Sequence, residues 1–173
     1  MVSASRKNIG DPGAEALAEF IAGCAEISDV EVLWKSAHDF FRSFGAGRAI
    51  YIHLPPIGMP DLDGVEVFAR GCAPDWDRSY QSRLHYREDL VLAHALRRAD
   101  PVPLSEIYRS NGATETQRGV LGGYRESGFG SGLAVPVFGP GGRNGCVILG
   151  FGNGRRAVSG DAAPDASQVA SLQ

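Results

Sequence analysis

Hydrophobic positions along the chain change period several times, and each change marks an element. Ala14, Leu17, Ala18, Ile21, Cys24 and Ala25 fall on one stripe at the helical period. Ser28 and Glu31 have the spacing of a capping box. Behind it Val30, Leu33, Trp34, Ala37, Phe41 and Phe44 make a second stripe, closed by Gly45. Trp34 and the phenylalanines could form a ligand wall, but helical spacing favours core packing. From Arg48 to Leu54 the period drops to two. Ile50, Ile52 and Leu54 alternate with Tyr51 and His53, the pattern of a strand with two usable faces. Residues 55–60 read as a proline-rich loop. A turn at Asp63-Gly64 leads into a second strand, Val65 to Arg70, which predicts a hairpin.

Pro74, just ahead of Asp75 and Trp76, suits a helix start, and this helix is expected to run to about Tyr86. A second short helix is expected from Asp89 to Arg98. Asp100-Pro101-Val102-Pro103 must be extended, because each residue before a proline is pushed out of the α region. Thr114 and Gln117 form another capping box, and Val120, Leu121 and Tyr124 share the face of the next helix. Gly128, Gly130 and Gly132 mark its exit. Leu133–Phe138 and Cys146–Phe151 read as strands joined by the turn-rich segment 139–145. Strands made as hairpins favour an antiparallel sheet. Helices before and between them predict an α+β domain, an α-β-α sandwich with a central antiparallel sheet and helices on both faces.

Composition narrows the function classes. The chain has 173 residues, enough for one domain with a substantial core. Apolar residues are 43%, charged residues 21%, and the net charge is -3, so nothing advertises nucleic-acid binding. No apolar run approaches the roughly 20 residues of a membrane helix. The first residues, Met1 to Lys7, lack a signal peptide's apolar stretch. Cys24, Cys72 and Cys146 are odd in number and widely spaced, which fits a reducing cytoplasm better than a disulfide framework. Residues 1–12 read as a polar, frayed start. Residues 161–173 are Ala/Ser-rich with few apolar anchors and read as a linker or the first turns of a further helix. No internal repeat is present.

Catalytic signatures are scarce. His38, His53, His85 and His94 have no metal-ligand spacing, and no Gly-x-Ser-x-Gly elbow occurs. Gly128-Phe129-Gly130-Ser131-Gly132 leads from a helix into a strand, the reverse of a dinucleotide fingerprint. No metal, no cofactor and no enzyme activity are expected. The stretch from Cys72 to Ile107 is richer. Trp76 and Tyr80 lie four apart and share a helix face. Asp89 opens the apolar run Leu90-Val91-Leu92-Ala93. An indole N–H, a phenol O–H and a carboxylate beside apolar side chains can hold an amphiphile by its polar head. Each residue also has a plainer reading: Trp76 as a core aromatic, Asp89 as a helix N-cap or a surface acid.

Taken in order, these motifs resemble the autoinducer-binding domain of LuxR-type quorum-sensing transcriptional regulators. The carriers are Trp76, Tyr80, Asp89-Leu90-Val91, Pro101-Val102-Pro103-Leu104-Ser105-Glu106, Glu126-Ser127-Gly128 through Gly132, and Val135-Pro136-Val137. The helices at 14–44 and the hairpin at 48–70 fit the same domain, so the likeness covers most of the chain. It implies a ligand-binding domain that takes an N-acyl-homoserine lactone between the sheet and one helical layer. Trp76 would donate to the lactone carbonyl, Asp89 would accept from the amide N–H, and Tyr80 would pack on or hydrogen-bond the acyl end. Val91, Leu92, Val120, Leu121, Tyr124 and Phe129 would line the acyl cavity.

Three positions depart from the family pattern. Cys72 stands where the family often has a Tyr, Leu104 where it usually has a Trp over the lactone ring, and Leu90 where a Pro follows the Asp. The resemblance further implies a cytoplasmic protein that forms a homodimer. It would have no membrane partner, and DNA would be reached only through a C-terminal helix-turn-helix domain that this sequence does not contain. The signal-binding domain is expected over 1–160 and the start of its linker over 161–173. A stand-alone regulator or antagonist, and a PAS- or GAF-like sensor of another small molecule, are the rival readings.

Overall fold

The computed structural model describes residues 12–56 and 64–152. The expectations for residues 1–11, for most of the loop between the first two strands, and for the tail at 161–173 lie outside the described residues. Chain order is α1 (Pro12–Cys24), α2 (Val30–Ser43), β1 (Ala46–Leu54), β2 (Glu66–Arg70), α3 (Trp76–Ser82), a 3-10 turn (His85–Arg87), α4 (Leu90–Arg98), β3 (Val102–Pro103), α5 (Leu104–Ile107), α6 (Glu115–Glu126), β4 (Gly132–Phe138), a second 3-10 turn (Pro140–Gly142) and β5 (Asn144–Phe151).

The five strands form one antiparallel sheet in the order β2-β1-β5-β4-β3. Alternation along β1 divides the molecule in two. Ile50 and Ile52 face one side with Cys146 and Ile148 of β5, and there the helices α3 to α6 pack on them. Ala49 and Tyr51 face the other side with Phe68, Val147 and Leu149, covered by Trp34, Ala37 and Phe41 of α2. α1 lies outside α2, where Phe20 stacks on Phe40 with ring centroids 4.3 Å apart. The expected α-β-α sandwich is therefore the observed one.

Several local expectations need correction. α2 is capped by Asp29, not by Ser28 and Glu31. The Asp29 carboxylate accepts from Glu31 N at 2.8 Å and Val32 N at 3.0 Å. Glu31 instead pairs with Arg70 at 2.8 Å. Ile21, assigned to the buried stripe of α1, is 58% exposed, and Val30 at the start of α2 and Phe44 just past its end are also exposed. α1 covers a helix rather than a sheet, so only a narrow strip through Ala16, Leu17, Phe20 and Cys24 is partly buried. α3 stops at Ser82 instead of reaching Tyr86, because Leu84 turns left-handed at φ 55°. Leu104 does not continue the extended segment. The strand ends at Pro103 and Leu104 opens α5.

Other expectations hold in detail. Thr114 and Gln117 make a reciprocal capping box at the start of α6. Pro103 sits on a two-residue edge strand, and Pro101 lies just before it, where a missing N–H costs no ladder bond.

Candidate functional site

Asp89 is the only buried charged side chain among the described residues, 3% exposed. An ionised carboxylate cannot stay inside a protein without donors around it, and four surround this one. Oδ1 accepts from Val91 N at 2.7 Å and Leu92 N at 3.2 Å, which caps α4. Oδ2 accepts from the hydroxyls of Tyr80 and of Tyr124, the latter at 2.6 Å. Burial raises the Asp89 pKa above the ordinary carboxylate value, and these donors, Tyr124 first, pull it back. Burial and the neighbouring Asp89 charge push both phenols well above their usual range, so both remain O–H donors at working pH.

Three elements deliver these groups. The i, i+4 spacing on α3 brings Trp76 and Tyr80 onto one face, with rings stacked at 5.0 Å and 22°. Tyr124 arrives on α6, its centroid 5.5 Å from Trp76 and 6.2 Å from Tyr80. Phe129, just beyond α6, meets Tyr124 edge-on at 5.9 Å and 84°. The Phe129 carbonyl is held in turn by the Tyr108 hydroxyl at 2.6 Å. Trp76 is partly exposed, and its indole N–H makes no hydrogen bond among the described residues. The result is an aromatic box with a saturated carboxylate at its floor and an indole donor at its rim.

The other residues singled out in the sequence fall around this box. Val91, Leu92, Val120, Leu121 and Phe129 are buried in the same inner core. Cys72 packs at its edge, half-buried. Its Sγ lies 3.6 Å from the Arg70 carbonyl, and burial pushes the thiol pKa up to about 12. Leu104 is fully buried, but it packs beneath Gly132 of β4, where an added Cβ would collide with Leu104 Cδ1 and the Leu149 carbonyl. Leu104 thus packs against β4, within the same buried cluster that Trp76 packs against. Among the described residues, no group of three His, Cys, Asp or Glu is placed to hold a metal ion. No helix among them is long and apolar enough to cross a membrane. A separate open cleft of about 310 Å³, lined by Leu90, His94, Ser110, Asn111, Gly112, Ala113 and Gln117, shares no residue with the box.

Sequence reasoning missed the bond from Tyr124 to Asp89, across 35 positions. The helical stripe pointed Tyr124 inward, but no local signal names its partner. It also did not single out Tyr86 and Tyr108, or the sheet residues Leu54, Val67 and Ala69, which pack against the same inner core.

The family model described as autoinducer binding domain matches residues 29–172. No curated protein matches the chain. Among solved structures, the fold is similar to that of CepR2 from Burkholderia cenocepacia, described as an N-acylhomoserine lactone dependent LuxR family transcription factor. Identity there is 14% and the TM-score 0.68, over 92% of this chain and 90% of that one. It is also similar to SdiA from Escherichia coli, with 12% identity and a TM-score of 0.66 over 94% of this chain. SdiA in complex with octanoyl-rac-glycerol gives 11% and 0.67. The chain spans 63% and 62% of the two SdiA chains.

Proposed function

The chain belongs to the autoinducer-binding domain family of LuxR-type quorum-sensing regulators, and from that membership we propose that it binds an N-acyl-homoserine lactone or a related acyl amphiphile. The observation that supports the reading is the box itself. A single buried carboxylate, Asp89, lies under stacked Trp76 and Tyr80, beside an indole N–H with no partner among the described residues. The Trp76 N–H faces a ligand carbonyl, Asp89 and its tyrosines take the head-group donor, and the apolar side chains of α4 and α6 with Phe129 receive the acyl chain. Cys72 borders the head group. Its raised pKa keeps it a thiol and a weak donor.

The domain acts as a sensor that binds its signal, in keeping with its family of signal-binding regulator domains. Residues 1–160 form the signal-binding unit and 161–173 begin a linker. DNA is reached through a helix-turn-helix domain outside this sequence, and the domain works as a cytoplasmic homodimer. CepR2 is described as lactone-dependent and SdiA has been crystallised with octanoyl-rac-glycerol, so both ligand chemistries belong in the test. A thermal-melt screen over N-acyl-homoserine lactones of varied chain length, with octanoylglycerol beside them, decides. A ligand at about 100 times its dissociation constant should add about 2.7 kcal/mol of stability. Absence of a shift for every lactone and for octanoylglycerol, in a folded sample, sinks the proposal.

A further inference from the structure

A carboxylate has about four lone-pair positions, and Asp89 has four donors on it: Val91 N, Leu92 N, and the Tyr80 and Tyr124 hydroxyls. A ligand N–H or O–H that approaches this group meets an acceptor already in use. The two backbone donors belong to the first turn of α4 and cannot leave without unwinding it. Tyr80 is clamped by its stack on Trp76 and its edge contact with His85. Tyr124 comes from a different helix, and its hydroxyl also lies within hydrogen-bond reach of the Tyr80 hydroxyl, so it keeps a partner when it leaves Asp89. It is the donor whose departure disturbs least.

Resting on the binding mode proposed above, we infer that Tyr124 is a specificity-determining residue: its hydroxyl holds the Asp89 oxygen that a ligand's head-group donor needs, and the ligand must displace it. The domain thereby carries an internal stand-in for its own signal. The hydroxyl keeps the buried carboxylate satisfied when no signal is bound. When one binds, the new hydrogen bond replaces an existing one, so its net gain is small. Discrimination then shifts away from the amide N–H and towards the acyl chain and the carbonyl that meets Trp76.

Two measurements on the full 173-residue chain test this. The first is Tyr124→Phe, which keeps the ring and removes the competitor. Calorimetric titration with N-acyl-homoserine lactones of several chain lengths should show binding about tenfold tighter than wild type, the scale of one charge-assisted hydrogen bond. Denaturation without ligand should show a lower midpoint. Structural damage alone weakens binding, so a gain of affinity with a loss of stability isolates the competition. The second measurement needs no variant. A lactone whose amide N–H is replaced by an ester oxygen should bind wild type within about threefold of the amide, because Tyr124 simply stays on Asp89. Equal or weaker lactone binding by Tyr124→Phe, or a loss beyond about tenfold for the ester on wild type, overturns the inference and leaves the binding reading standing. If neither a lactone nor octanoylglycerol binds wild type or variant, both fall together.

Discussion

At the scale of single residues, Asp89 joins two tasks that sequence reasoning set against each other. It caps α4 with one oxygen and gathers the aromatic box with the other. The substitution that separates them is Asp89→Asn. Its carbonyl oxygen can still accept from Val91 N and Leu92 N. Its NH₂ can donate to Tyr80 and Tyr124, whose hydroxyls turn round and accept. The fold should lose about 1 kcal/mol or less, while a ligand donor now faces an NH₂ and binds more weakly. Asp89→Ala removes the cap, about 1 kcal/mol, and strands two buried hydroxyls at about 1–3 kcal/mol each. It should therefore cost more binding than Trp76→Phe, which keeps the stack on Tyr80. Chemical denaturation with titration calorimetry reads both quantities; wild-type affinity for Asp89→Asn would leave Asp89 as a cap alone.

The same residue sets a pH dependence. The folded-state pKa of Asp89 is raised by burial. Below that value and above the unfolded one, the folded state holds a proton that the unfolded state lacks. Stability contributed at Asp89 therefore rises as pH falls through this window, and falls as pH rises through it. Wild type should gain on Asp89→Asn as pH drops from neutral towards the ordinary aspartate range. A constant difference between the two across that range would place the Asp89 pKa at its ordinary value.

At the scale of elements, legibility depended on how local the cause is. The capping box at Thr114 and Gln117 is one turn of backbone and two side chains, and the structure keeps it intact. The β1 alternation was readable because period two assigns Ile50, Ile52 and Tyr51 to faces without knowledge of any partner. At Ser28, Asp29 and Glu31, two local candidates competed, and the carboxylate, the stronger acceptor, won. α3 stops short because Leu84 adopts a conformation that no propensity announces. Leu104 is free to open α5 because the restriction on residues before proline ends at Val102 and does not reach past Pro103.

That correction yields a prediction at Leu104. Its side chain is fully buried, and Cδ1 lies against the Gly132 backbone, itself paired to β5. Leu104→Trp must push strand backbone and should cost about 1–3 kcal/mol or more, as overpacking does. Leu104→Ala should cost about 2–5 kcal/mol through the cavity it leaves. Urea midpoints measure both. A Leu104→Trp protein of full stability and altered ligand preference would show open space here and place Leu104 at the head-group site.

At the scale of the whole molecule, stability is unevenly spread, and that unevenness can locate the ligand. β1 and β5 are interior strands paired on both sides, so their amides should exchange only through global unfolding. α3 is the opposite case. It has 7 residues, far below the roughly 12–15 at which an isolated helix becomes even marginal. It begins after Asp75 at φ 62° with no side-chain cap and ends near Leu84 at φ 55°, each a left-handed residue at about 1–2 kcal/mol. The segment 75–88 should open locally, and its amides should exchange much faster than those of β1. A ligand held beneath Trp76 and Tyr80 cannot stay when α3 leaves. Its binding free energy must then protect α3 as well as the strands, by about 100-fold at 100 times the dissociation constant. α1, which touches only the outer layer, can fray with the ligand in place and should be unaffected. Hydrogen exchange with and without a bound lactone distinguishes these zones. Slowing in β1 and β5 with none in α3 would put the ligand elsewhere and remove Trp76 and Tyr80 from the site.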